Sequence, residues 1–233
     1  ERPFDYIVGD RYVTPAEHAP YFTEKLALMP HSYQINYYGR HSPPASAILR
    51  GTADWASLRA SYGLPPSAVV FANFNKQDKL EPRSWSAWMN VLSRVPESVL
   101  WLLTPSGSHS ASPIPLRLAS EAAARGISPS RIIFAPRVAK SEHLRRAAAA
   151  DLFLDTLSYG AHSTATDALR GGLPVLSVGG LGFASRVGIS LLEVAGGGVA
   201  EVLLCDDVRS FEDVAVGLAS DLARLDGVRA GLE

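Results

Sequence analysis

Cysteine is almost absent from this sequence: Cys205 is the only one in 233 residues. An internal disulfide framework is therefore excluded, and the composition fits a reducing compartment. A thiolate metal cluster is excluded too. The six histidines, at 18, 31, 41, 109, 143 and 162, show neither HxH nor HExxH spacing, so no metal site is supported. An excess of one charge is also lacking. Lys plus Arg number 22 and Asp plus Glu 23, giving a net charge of −1, whereas a nucleic-acid binder shows a strongly basic face. No apolar run approaches the roughly 20 residues of a membrane helix. The opening ERPFDY has neither the basic start nor the apolar stretch of a signal peptide. GxGxxG, GxxxxGK[ST] and GxSxG are all missing, which removes the nicotinamide, P-loop and common hydrolase readings. The expectation is an intracellular globular protein.

What the sequence does hold is apolar material for a core: 47% hydrophobic residues against 19% charged. From about residue 68 onward, short continuous apolar runs alternate with longer amphipathic ones. The runs at 68–74, 98–103, 131–135, 151–155, 173–178 and 201–205 read as strands buried on both faces of a parallel sheet. The stretches at 82–95, 116–125, 141–150, 164–170, 184–194 and 211–225 read as helices, with Gly126 and Gly171 or Gly172 at helix ends. This alternation predicts a doubly wound α/β domain over 67–233. Residues 1–50 offer one strand, at 5–9, and too little else to bury its faces. They read as the tail of a preceding domain, with 51–66 as a linker, one short helical patch within 45–66, and the chain truncated at its start. The alanine run 147–150 favours helix.

Ligands of open α/β sheets bind beyond the carboxyl ends of the strands. Three polar segments follow strands there: NFNKQDK at 73–79, PRVAKSEH at 136–143, and TLSYGAHSTATD at 156–167. In the last, Gly160 makes a turn and Ser163 and Thr164 open a helix. Hydroxyls, free N–H groups and the positive helix end then suit a phosphate, although the two hydroxyls can equally serve as plain caps. Asp167 shares that helix face and can accept two bonds from vicinal hydroxyls, as on a ribose. Lys140, His143 and Arg146 recur every three residues along one face, either as ligand contacts or as a solvated basic surface. Lys79 is open to the same two readings, and His162 is either a ligand contact or a loop histidine with one backbone partner.

Taken in order, these segments resemble the catalytic region of O-linked N-acetylglucosamine transferases. The resemblance runs over residues 5–195 and includes EKL…MPH at 24–31, RIIF…KSEHLRR at 131–146, LDT…HST…DAL…GLPV at 154–175 and ASRV at 184–187. It implies a GT-B fold, of which this chain is the C-terminal donor-binding lobe with a remnant of the N-terminal lobe. It further implies transfer of N-acetylglucosamine from UDP-GlcNAc to Ser or Thr hydroxyls of intracellular proteins, with inversion and without a metal or other cofactor. Lys79 would contact the diphosphate, and Lys140 and His143 the ribose and uracil, with Arg146 nearby. His162, Ser163 and Thr164 would surround the phosphates, Asp167 would bind the ribose, and His31 would match an active-site histidine of the other lobe. Lys76 stands where the family has glutamine, and Ser163 where threonine is commoner. Helical repeats that recruit acceptor proteins, and most of the first lobe, would lie outside this chain. Protein O-fucosyltransferases using GDP-fucose, asparagine-modifying glucosyltransferases, an epimerase-type enzyme and a non-catalytic UDP-sugar-binding fragment are the competing readings.

Overall fold

The computed structural model describes residues 4–38, 50–105, 112–196 and 198–232. His41, His109 and residues 45–49 lie outside the described residues. Strands β1 (Tyr6–Asp10) and β2 (Lys25–Met29) form a two-stranded parallel sheet. Then come β3 (Val69–Asn73), β4 (Ser98–Leu103), β5 (Ile132–Ala135), β6 (Leu152–Leu154), β7 (Val175–Val178) and β8 (Leu204–Cys205). These six pair in parallel in the order β5-β4-β3-β6-β7-β8. The chain winds outward from β3 to β5, returns to lay β6 against β3, and winds outward the other way. The crevice where the order reverses therefore opens between β3 and β6.

The helices of the described residues are α1 (Ala53–Ser61), α2 (Pro82–Arg94), α3 (Ile114–Ala124), α4 (Lys140–Arg146), α5 (Ser163–Arg170), α6 (Val187–Ala195), α7 (Val199–Leu203), α8 (Val208–Ser220) and α9 (Leu222–Ala230). They cover both faces of the sheet, which is why the strands are continuously apolar rather than alternating. Phe71, Leu100 and Leu154 face Trp88 of α2 and Phe211 of α8. Val70, Ala72, Trp101 and Phe153 face the other way, toward Leu58 of α1, Ala165 of α5 and Leu191 of α6. Emptying such a site, as in Trp88→Ala or Phe153→Ala, costs about 3–5 kcal/mol. Local signals set the helix starts. Glu81 caps α2, accepting from Ser84 N at 2.9 Å, with Pro82 in the first turn. Asp207 and Ser210 close a capping box on α8.

Several boundaries differ from the sequence expectation. Run 201–205 is mostly helix: α7 ends at Leu203, leaving two residues of strand. Helix 211–225 is two helices that part at Asp221, whose carboxylate accepts from Arg224 N at 3.0 Å and restarts the chain as α9. Helix 184–194 is a 3-10 turn, Phe183–Ser185, followed by α6. Helix 141–150 ends at Arg146, and Ala147–Ala149 form a tighter turn packed under α5. There the alanines serve close approach rather than helix propensity: a Cβ on Gly171 would lie 2.6 Å from that of Ala147. The glycine expectation holds at Gly126 and Gly172, whose φ values are +75° and +71°.

Residues 51–66, whose composition reads as a linker, carry α1 with Trp55, Leu58 and Arg59 buried. Arg59 Nη2 pairs with Asp151 Oδ2 at 2.5 Å, and Arg50 Nη2 with Oδ1 at 2.5 Å. Residues 1–50 hold a second strand, β2, beyond the one expected. Their polar contact with α6 is buried: Asp10 Oδ2 accepts from Tyr33 N at 2.8 Å and from Ser190 Oγ at 2.7 Å. Arg186 adds a bond from Nε to Tyr12 O at 2.6 Å.

Candidate functional site

The three polar segments meet at the carboxyl ends of β3, β5 and β6. At the crevice, Asn73 Nδ2 donates to Leu154 O at 2.7 Å and Asn75 Nδ2 to Thr156 Oγ1 at 3.2 Å, tying the β3 and β6 loops together. Gln77 turns away from the crevice and donates to Leu103 O, whereas Lys76 is exposed at the rim. Lys79 reaches across to the β6 loop. Its Nζ donates to Gly160 O at 2.8 Å and lies 3.9 Å from the Tyr159 ring centroid. Half-burial lowers the Lys79 pKa, and Asp155 and Asp78 oppose that shift.

The β6 loop is shaped by Asp155, which is fully buried. Its Oδ1 accepts from Thr156 N at 2.8 Å and Ala161 N at 2.7 Å, and its Oδ2 from Ser177 Oγ at 3.0 Å. Burial raises its carboxyl to about 6, the hydrogen bonds and Lys79 working against that. The loop delivers the chain into α5, where His162 is the backbone N-cap and supplies no side-chain cap. Ser163 and Thr164 are the first two residues of the helix, so their N–H groups belong to its unpaired amino end. The plain-cap reading is therefore not the one adopted for Ser163: its Oγ accepts from Gln34 Nε2 at 3.3 Å. His162 Nε2 contacts Ala184 O at 3.2 Å, and burial lowers its pKa.

One turn along α5, Asp167 faces α4. Lys140 Nζ lies 2.5 Å from both carboxylate oxygens, and His143 Nε2 lies 3.7 Å from Oδ2. The Lys140 side chain is 52% exposed, and such half-open pairs contribute about 0–1 kcal/mol. Ligand hydroxyls donating to a carboxylate are worth about 1.5–3 kcal/mol each, enough to displace it. Tyr38 Oη also donates to Asp167 Oδ1, at 2.8 Å, and Arg170 lies 5.5 Å from its ring centroid. Neither Tyr38 nor Gln34 is expected from the sequence. They lie in an irregular segment without periodicity, and no short motif marks them.

Arg146 departs from the place implied for it. It is 1% exposed, its guanidinium donating to Pro136 O at 2.5 Å and contacting His143 Nδ1 at 2.7 Å, above the Phe74 ring at 4.6 Å. It therefore stands behind His143 and orients it, with no open face toward a ligand. His31 is exposed and lies three residues before Gln34, so the strap after β2 links it to the α5 start. The site thus unites Lys79, Lys140, His143, His162, Ser163, Thr164 and Asp167 around one helix end and one carboxylate. That arrangement suits an anion at the helix start and a pair of hydroxyls at Asp167.

The sequence profile of glycosyl transferase family 41 matches residues 51–233. The chain belongs to this family. A probable UDP-N-acetylglucosamine–peptide N-acetylglucosaminyltransferase SEC of Arabidopsis thaliana is 35% identical over 95% of the chain. The corresponding transferase of Caenorhabditis elegans is 37% identical over 74% of it. The solved O-GlcNAc transferase mutant of Thermobaculum terrenum superposes with a TM-score of 0.78 over 98% of the chain at 27% identity. The architecture is that of a GT-B glycosyltransferase, with the β3–β8 sheet as one Rossmann-like lobe. This family 41 chain spans 21% and 14% of those two relatives and 40% of the solved chain.

Proposed function

We propose that this chain is the donor-binding part of a transferase that moves N-acetylglucosamine from UDP-GlcNAc to Ser or Thr hydroxyls of proteins. The observation that carries this reading is the pairing of a cation and a helix start, Lys79 and Ser163–Thr164, with a hydroxyl acceptor, Asp167, along one helix face. A nucleoside diphosphate carries the matching groups: phosphate oxygens at one end and vicinal ribose hydroxyls at the other. The names of the relatives narrow the nucleotide to UDP and the sugar to GlcNAc.

On this reading Lys79 and the positive end of α5 stabilise the charge that develops on the departing UDP. No metal or other cofactor is then needed for that step, and the transfer inverts the anomeric carbon. Neutral His143, held by Arg146, packs against the base. His31 approaches from the strap after β2 on the acceptor side. Acceptor recognition belongs to the parts of the relatives that this chain does not span, and the setting is cytoplasmic or nuclear.

Calorimetric titration with UDP tests the reading, comparing the protein with Lys79→Ala and Asp167→Ala. Each substitution removes a charged contact worth about 1.5–3 kcal/mol and should weaken binding roughly tenfold or more. GDP in place of UDP separates the fucosyltransferase reading, and a preference for GDP would overturn the donor assigned here. Absence of UDP binding by the folded protein would overturn the site.

A further inference from the structure

The peptide unit joining Gly160 and Ala161 lies between two ionisable side chains. Its N–H, on Ala161, donates to Asp155 Oδ1 at 2.7 Å. Its carbonyl, on Gly160, accepts from Lys79 Nζ at 2.8 Å. A trans peptide points its N–H and C=O in opposite directions. The carboxylate and the ammonium therefore sit at opposite ends of one peptide dipole, each at the end that favours it. Among the described residues Lys79 makes no direct ion pair, so this relay is its link to a buried anion.

We propose that Asp155 is a positioning residue for Lys79, acting through the Gly160–Ala161 peptide without touching the ligand. The arrangement solves a physical conflict. A carboxylate bonded directly to Lys79 would hold the side chain still but quench its charge. One peptide removed, it fixes the ammonium while leaving that charge free for a phosphate. The rest of the loop is built to keep the relay in place. Asp155 is anchored by Thr156 N and Ser177 Oγ, from its own loop and from β7. Gly160 N donates to Ala184 O at 3.0 Å, clamping the same residue from the other side. A Cβ on Gly160 would lie 3.1 Å from Asp155 Oδ2 and 3.4 Å from Ala184 O, so a side chain there would press the carboxylate back by a few tenths of an ångström. The other charges that bear on Lys79 are Asp78, Lys76 and His162.

This inference rests on the reading of Lys79 as a phosphate contact, and its test separates the two. UDP and uridine are titrated calorimetrically into the wild type, Lys79→Ala, Asp155→Asn and the double variant. Asparagine keeps the size of the side chain and an acceptor oxygen but removes the charge. Asp155→Asn should weaken UDP about five- to tenfold and leave uridine within twofold. The double variant should bind UDP no more weakly than Lys79→Ala alone, because both changes break one interaction. Additive losses, equal losses for uridine, or unchanged UDP affinity would overturn the positioning role while leaving the nucleotide site standing. Failure of the wild type to bind UDP would instead remove the nucleotide reading. A second measurement needs no ligand and no change at Asp155. In Lys79→Met the Asp155 carboxyl, followed by ¹³C NMR, should titrate at higher pH than in the wild type, since coupling between two sites is reciprocal. An unmoved titration would overturn the relay.

Discussion

Arg146 lies 2.7 Å from Nδ1 of His143, and a guanidinium can only donate. The bond therefore decides the tautomer: Nδ1 accepts and the ring keeps its proton on Nε2, the atom that faces Asp167. Arginine at 146 thus matters to the site without facing it.

The pH dependence of His143 follows from the same contacts. Burial first, then Arg146, push its pKa from 6.5 down to about 4. A lowered pKa means that the stability from keeping the ring neutral is fully present above pH 6.5. It is lost as the pH falls through 4, amounting to up to roughly 3 kcal/mol. Thermal melts from pH 7.5 to 4 should show this loss, and His143→Phe should flatten that limb. A wild-type slope in the variant would contradict the assignment.

Asp155 carries the opposite sign. Burial raises its pKa from 3.8 to about 6, so its contribution is greatest below 3.8 and is lost as the pH rises through 6. Asp155→Asn is uncharged throughout. It should match or exceed the wild-type melting temperature above pH 7 and lose that advantage toward pH 4, while binding UDP more weakly. Stability and affinity moving in opposite directions would mark a residue retained for the site rather than for the fold.

Tyr38 and an incoming ribose draw on the same oxygen. Tyr38 Oη donates to Asp167 Oδ1, so Tyr38→Phe frees that oxygen for a ligand. One displaced hydroxyl–carboxylate bond, at about 1.5 kcal/mol, the low end of the range for such bonds, predicts a roughly tenfold gain in affinity for UDP and for uridine. Titration of both ligands checks this, and weaker binding would make Tyr38 part of the ligand's own seat.

Asp151 is a matter of folding alone. It is completely buried between Arg59 and Arg50 and accepts from Val70 N at 2.7 Å. Asp151→Ala strands the 1%-exposed Arg59 guanidinium and should cost about 3–5 kcal/mol in urea unfolding. Its UDP affinity, measured on the folded fraction, should stay within a few-fold of wild type.

Legibility from the sequence followed the range of the interaction. The strands were readable because each buries both faces and so needs no partner to be named in advance. Lys79, Ser163 and Asp167 were readable because strand ends, turns and helix faces are short-range features that place them on one side of the sheet. Tyr38 and Gln34 were not, since each meets its partner across 129 residues through a segment with no period. Arg146 was misplaced for a related reason. Spacing puts it on the face of Lys140 and His143, but spacing cannot tell the side of a short helix that opens to solvent from the side pressed on Phe74. The strand expected at 201–205 failed because an apolar run of that length suits a buried helical turn equally well.

Strand β6 is only three residues long, yet a buried aspartate stands at each end of it. Asp151 ties the entering end to α1, and Arg229 of α9 reaches the neighbouring Ala150 O at 2.6 Å. Asp155 ties the leaving end to the loop that carries Gly160. The strand is a short axle seated in two bearings, about 13 Å apart. Trimming α9 or loosening α1 unseats the first bearing and is felt by the fold, while the second still holds the loop from which Lys79 takes its aim.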